Sequence, residues 1–133
     1  MSIKVPYYLR NIEDLTCEDE HQTALIEWSE LPETRKKYPM LKWLFAVPNG
    51  GMRSKATATK MKQTGVKRGI SDLILLYPAF KYHALTIELK YNKNKLSKEQ
   101  QDFIWHHEPL GYRCIVCWSW LDAKRQIINY LSE

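Results

Sequence analysis

The chain has 133 residues, 44% of them apolar and 26% charged, and a formal net charge of +5. This composition excludes a disordered or low-complexity chain, and the length suits one domain over 1–133, with a core at about 16–131. No apolar stretch approaches the roughly 20 residues that cross a bilayer, and the first residues carry no signal-peptide pattern. No membrane partner is therefore expected, and a cytoplasmic setting in a bacterial or phage-infected cell is.

Thr16 and Asp19 form a capping-box pattern that opens a helix through about Ser29, with Ala24, Leu25, Trp28 and Leu31 on its apolar side. A polar segment with two prolines and the run RKK follows. WLFAVPNGG then reads as a short strand ended by a turn, because Pro48, Asn49 and two glycines punctuate strongly. Residues 54–63 are compatible with a helix that places Lys55, Thr59 and Lys62 on one face.

Gly65 and Gly69 bracket the next turn. Two strands follow, Leu73–Tyr77 and His83–Leu89, joined by a short turn at Pro78. Ser97 and Gln100 form a second capping box, starting a helix through about His107. GYRCIVCW supplies a last strand, and Leu121–Leu131 a terminal helix with Ile127, Ile128 and Leu131 inward. The order helix, strand, helix, strand, strand, helix, strand, helix predicts an α/β fold, a mixed sheet flanked by helices.

Cys114 and Cys117 resemble a metal pincer, but three residues apart on a strand they point to opposite faces. No second CxxC completes a zinc site, so buried reduced thiols are expected. From Arg53 to Arg68 the chain carries Arg53, Lys55, Lys60, Lys62, Lys67 and Arg68 without one acid, and Lys93, Lys95 and Lys98 follow the second central strand. A polyanionic partner explains that distribution as well as a solvated surface does. Aromatic residues are not interleaved with these lysines, which favours phosphate tracking over base reading.

Folded as a symmetric antiparallel hairpin about Phe80, the two central strands set Asp72 across from Glu88, on one sheet face. Glu88 and Lys90 share that face, because side chains alternate with a period of two. Opposed carboxylates repel unless a cation or a proton sits between them. Two hard oxygen ligands beside a lysine suit a Mg²⁺ or Mn²⁺ site, with water and a phosphate in the remaining positions. The plain alternative is a surface Glu88–Lys90 ion pair of little consequence.

The stretch GISDL…IELK resembles the Asp…Glu-x-Lys core of the PD-(D/E)XK nucleases. More narrowly, EDEHQTALIEW, VPNGG, MKQTGVKRGISDLILL, TIELK, LSKEQQDFI and GYRCIVC together resemble the VRR-NUC family, the virus-type replication-repair nucleases, from Glu18 to Leu131. The resemblance implies a restriction-endonuclease-like fold and metal-dependent phosphodiester cleavage. By position it implies Asp72 and Glu88 as metal ligands, the Leu89 carbonyl as a third, and Lys90 orienting the attacking water and stabilising developing charge. Gln100 matches the family's active-site glutamine, although capping its own helix competes for the same amide.

The N-terminal acid of the site is Glu18, four residues before Gln22 on the same helix face, or else Glu20; either also suits a helix N-terminus. Asn49, Gly50 and Gly51 match the family's loop, which implies close backbone approach to the site or to DNA. Lys62 matches a recurrent phosphate-contacting lysine, and Arg53, Lys55 and Lys67 extend the expected DNA-binding surface. Ser71 stands where the family often has proline, a position that supplies no ligand. His106 and His107, at a helix end, are expected to complement its dipole or pack a tryptophan-rich interior rather than to catalyse.

The combined expectation is a Mg²⁺- or Mn²⁺-dependent, structure-selective endodeoxyribonuclease acting on branched DNA such as Holliday junctions, as a homodimer whose two sites face one DNA. Two rivals stay open. One is a non-catalytic DNA-binding module whose acids have become structural. The other is a sequence-specific restriction-type endonuclease, for which so short a chain leaves little room.

Overall fold

Burial on both faces marks one strand as the centre of the structure. The computed structural model describes residues 4–48 and 54–132. Its elements are α1 (Glu18–Ser29), α2 (Pro32–Lys37), β1 (Leu44–Ala46), α3 (Lys55–Gln63), β2 (Leu73–Leu75), β3 (Leu85–Leu89), α4 (Lys98–His107), β4 (Arg113–Cys117) and α5 (Trp120–Leu131), with two short 3₁₀ turns before α1, one between α2 and β1 and one between α4 and β4. The sheet runs β1-β2-β3-β4; the first two pairings are antiparallel and β3 pairs β4 in parallel. The expected mixed α/β sheet flanked by helices is the fold observed.

All five residues of β3 are buried, and its period of two divides them between different surroundings. Leu85, Ile87 and Leu89 join Leu73, Leu75, Ile115 and Cys117 in the apolar core. Over that face lie α1, through Ala24, Leu25 and Trp28, and α5, through Trp120, Ala123, Ile127 and Tyr130. Thr86, Glu88 and Lys90 point the other way. They are buried too, which makes that second face unusual: it hides polar groups.

Burial in α5 corrects the expected inward set. Tyr130 and Trp120 are buried, whereas Ile128 and Leu131 only flank the core. Tyr130 can afford its depth because its hydroxyl donates to the Tyr77 carbonyl at 2.7 Å. A long-range tie joins the two core helices: buried His21 accepts, at Nδ1, a 3.0 Å hydrogen bond from the Trp120 N–H. That N–H opens α5 and has no partner within its own helix. Burial holds the His21 imidazole below its usual range, which keeps the accepting nitrogen free of a proton.

The central hairpin is shorter than expected, and its turn lies elsewhere. Ala79 and Tyr82 pair around a two-residue turn at Phe80 and Lys81, and Phe80 adopts a φ of 52°. The ladder resumes only at Leu75↔Leu85, with three residues between on the first side and two on the second. That extra residue is a bulge around Leu76–Pro78. Pro78 has no N–H to offer, and the Tyr77 N–H turns back to the Leu75 carbonyl at 2.9 Å, which ends β2.

Two local details also depart from expectation. Thr16 does not cap α1 through Asp19; its N–H and hydroxyl both donate to Glu20, and Cys17 occupies the cap position. The RKK segment is helical in α2, begun by Pro32 at its first position, and Arg35 donates to the Ser29 carbonyl at the end of α1. Cys114 and Cys117 are buried free thiols as expected. Among the described residues no helix is long and apolar enough to cross a membrane.

Candidate active site

The β2–β3 ladder pairs Leu73 with Ile87 at its open end, and the next step sets Asp72 opposite Glu88. Asp72 spans three strands. Its carbonyl accepts from the Val47 N–H beyond β1 at 2.9 Å, and its carboxylate accepts from the Leu89 N–H at 2.8 Å. The side chain thus continues the ladder where the backbone has turned away. Gly69, three residues upstream, brings this turn against α4: its φ is +83°, and a Cβ there would lie 2.6 Å from the Cβ of Glu99. The segment that carries Asp72 and the helix that carries Gln100 are locked together.

Glu88 is 3% exposed. Burial first, then the Asp72 charge and a hydrogen bond shared with Asp72, push its carboxyl up to about 8, against the opposing pull of Lys90. Lys90 Nζ stands 3.9 Å from Glu88 Oε1, and both side chains are buried. The reading of this pair as an exposed surface contact is therefore overturned. A buried pair carries a desolvation cost, and its geometry alone does not make it a stabilising feature.

Gln100 resolves the competition for its amide. Its Oε1 accepts from the Ser97 N–H at 2.8 Å, and its Nε2 donates to Glu88 Oε1 at 2.7 Å. The capping box is complete and the same side chain still reaches the site, because the two ends of one amide face opposite directions. The expectation that cap and site exclude one another is corrected.

The two candidate N-terminal acids separate. Glu20 is held by Thr16. Glu18 accepts from Asn94 Nδ2 at 3.0 Å, and its charge is felt at Glu88. Asn94 was not anticipated: no local pattern marks it, and it meets Glu18 only through the loop after β3. Its carbonyl also accepts from the Trp118 indole at 3.1 Å, so the loop is pinned from two sides. Among the described residues no three His, Cys, Asp or Glu side chains gather closely enough to hold an ion by themselves. The inner set is Asp72, Glu88 and the backbone at Leu89, with Glu18 one step out.

That set suits a hard divalent cation. The donors are oxygens, two opposed carboxylates are buried together, and burial first, then the Asp72 charge, drives Glu88 towards its protonated form despite Lys90. A cation between the two would offset that repulsion.

Outside the centre, Lys55, Lys62 and Lys67 are exposed, and α3 buries no residue. Asn49, Gly50, Gly51 and Arg53 lie outside the described residues. His107 bonds the Phe103 carbonyl through Nδ1 at 2.7 Å and lies against the Phe103 and Tyr112 rings. Among the described residues its ring contacts are Phe103, His106 and Tyr112 rather than tryptophans, and Trp105 is exposed.

The profile of the VRR-NUC domain family matches residues 16–120 of this chain. A solved structure described as a VRR_NUC domain protein is 29% identical, with a TM-score of 0.70 over 89% of each chain. No curated protein matches.

Proposed function

The chain belongs to the VRR-NUC family, a family of nucleases, and from that premise we propose that it is a metal-dependent, structure-selective endodeoxyribonuclease acting on branched DNA. The observation that carries this reading is the buried convergence of Asp72, Glu88 and Lys90 at one end of the sheet, with Gln100 fixing Glu88. A protein that only bound DNA would gain nothing from two opposed carboxylates hidden beside a lysine.

Asp72, Glu88 and the Leu89 carbonyl would hold Mg²⁺ or Mn²⁺, which when bound polarises the scissile phosphate and lowers the pKa of an attacking water. The chain's own residues do the rest. Lys90 orients the water in line with the leaving oxygen and neutralises charge that develops on the phosphate. Gln100 holds Glu88 in one rotamer, and Asn94 keeps Glu18 where it adds negative potential without crowding the inner set. Exposed Lys55, Lys62 and Lys67 would contact phosphates along the substrate.

Resolving a four-way junction takes paired, symmetric cuts, which a two-fold homodimer supplies most economically. Metal-dependent cleavage tests the core of the reading. Wild type should nick DNA in Mg²⁺ or Mn²⁺ and not in chelator. Asp72→Asn, Glu88→Gln and Lys90→Ala should each lose cleavage while keeping DNA binding and a cooperative melt. Near-normal cleavage by Asp72→Asn would sink the assignment.

A further inference from the structure

Among the described residues the second sheet face is only half covered. α4 reaches it over β3 and β4, while its β1–β2 half presents large apolar side chains to solvent: Trp43 53%, Phe45 43% and Leu76 62% exposed. Phe45 pairs with Ile74, two residues along the same face from Asp72, and the Trp43 carbonyl accepts from the Leu76 N–H at 3.2 Å. The Val47 N–H donates to the Asp72 carbonyl, and Phe45 lies two residues, about 7 Å at a strand's rise, along β1 from that contact, with Trp43 in the turn just before the strand.

Charge decides what such a row could meet. From Thr34 to Ser71 the chain has no acid and ten lysines and arginines: three in α2, Lys42 beside β1, and six from Arg53 to Arg68. Lys42 Nζ lies 4.8 Å from the Trp43 ring centroid, so cation and aromatic stand at one spot. A second copy docked here by two-fold symmetry would bring this acid-free segment against itself. A nucleic acid meets it with opposite charge and offers flat apolar rings as well.

We infer that Trp43, Phe45 and Leu76 form a stacking platform for unpaired nucleobases beside the cleavage centre. The inference deepens the nuclease reading and rests on it for the choice of DNA. Phosphates would follow the basic segment while one or two splayed bases lie on the aromatic row. Such contact tolerates any base and favours DNA that has unpaired positions, as at a branch point. Although these aromatics are not interleaved with the lysines of 53–68, strand pairing brings them to the face that carries Asp72.

Anisotropy in chelator, where no cleavage is needed, tests the platform. The probes are a labelled single strand, the same strand with abasic positions, and a linear duplex of equal length. Wild type should prefer the base-bearing strand over the abasic one. Trp43→Ala with Phe45→Ala should lose about tenfold or more on the base-bearing strand, little on the duplex, and all preference over the abasic strand. Trp43→Phe should retain most of the affinity.

Unchanged single-strand affinity in the double variant would overturn the inference, as would equal losses on all three probes. A fall in molar mass by light scattering on making that variant would also overturn it, by assigning the face to contact between copies. Should the double variant melt early, wild type's preference for bases over abasic positions decides the matter alone. Because Asp72→Asn reports on cleavage separately, a platform without catalysis and catalysis without a platform are distinct results.

Discussion

Glu88 sits where a carboxylate is hardest to ionise, and its surroundings set a measurable pH dependence. Its carboxyl is pushed from 4.5 up to about 8, so the folded protein binds a proton there that the unfolded chain has already released. That contribution to stability is complete below about pH 4.5 and is lost as pH rises towards 8. Calorimetry in chelator should therefore find a melting temperature that falls as pH rises across this window. Glu88→Gln should flatten the profile, and Mg²⁺ at pH 8 should restore stability to wild type by binding only the folded form. A flat wild-type profile would mean that Glu88 ionises freely. Gln100 permits a second separation of roles. Gln100→Glu keeps an acceptor for the Ser97 N–H but replaces the donor to Glu88 with a third acid. Cleavage should fall by far more than the melting temperature predicts, and lower Mg²⁺ affinity should accompany it; an equal activity with a lower melt would leave Gln100 a cap only.

At the level of elements, α3 is the most exposed of the long helices among the described residues, with every position but Met61 exposed. It spans nine residues, starts at a Ser54 cap whose side chain accepts from the Thr57 N–H, and buries no residue. A helix so short and so little packed is marginal alone, so charge rather than core packing explains its composition. If Lys55, Lys62 and Lys67 contact phosphates, changing all three to Gln should weaken binding on every DNA sequence alike. The slope of log K against log salt should then become shallower by about 0.9 for each contact removed. An unchanged slope would make the helix an ordinary solvated surface. α4 works differently: its capping box ties the helix start directly to Glu88, so the element that closes one side of the site also orients a carboxylate.

For the whole molecule, the charge pattern is divided. Buried acids are gathered at one end of the sheet, while exposed cations occupy α2, α3 and the loops around them. Under the proposed function, a long-range field of that kind would draw in a polyanion and leave the interior negative potential to a cation. Under the proposed assembly, light scattering at working concentration should give twice the 15.8 kDa of one chain. A four-way junction should be cut in preference to a linear duplex of equal length. A monomer that prefers flaps would leave the nuclease reading standing and remove the resolvase one.

Local chemistry made much of this legible in one dimension. Period-two alternation put Glu88 and Lys90 on one face, and the Ser97–Gln100 box started α4, because both depend on residues a few positions apart. The Asp72–Glu88 pairing was also reached, although the symmetric turn assumed for it does not occur. The turn falls half a residue later than assumed, and the bulge around Leu76–Pro78 shifts the register back by the same amount. A missing proline N–H permits such a bulge but does not say where it will sit. What only the tertiary structure decided are contacts between segments distant in sequence. His21 meets Trp120 across 99 positions, and Glu18 meets Asn94 across 76. The choice between Glu18 and Glu20, the burial of Lys90 and the open aromatic half-face follow from how helices lie on the sheet. Periodicity states which side of an element is apolar; packing alone states what covers it.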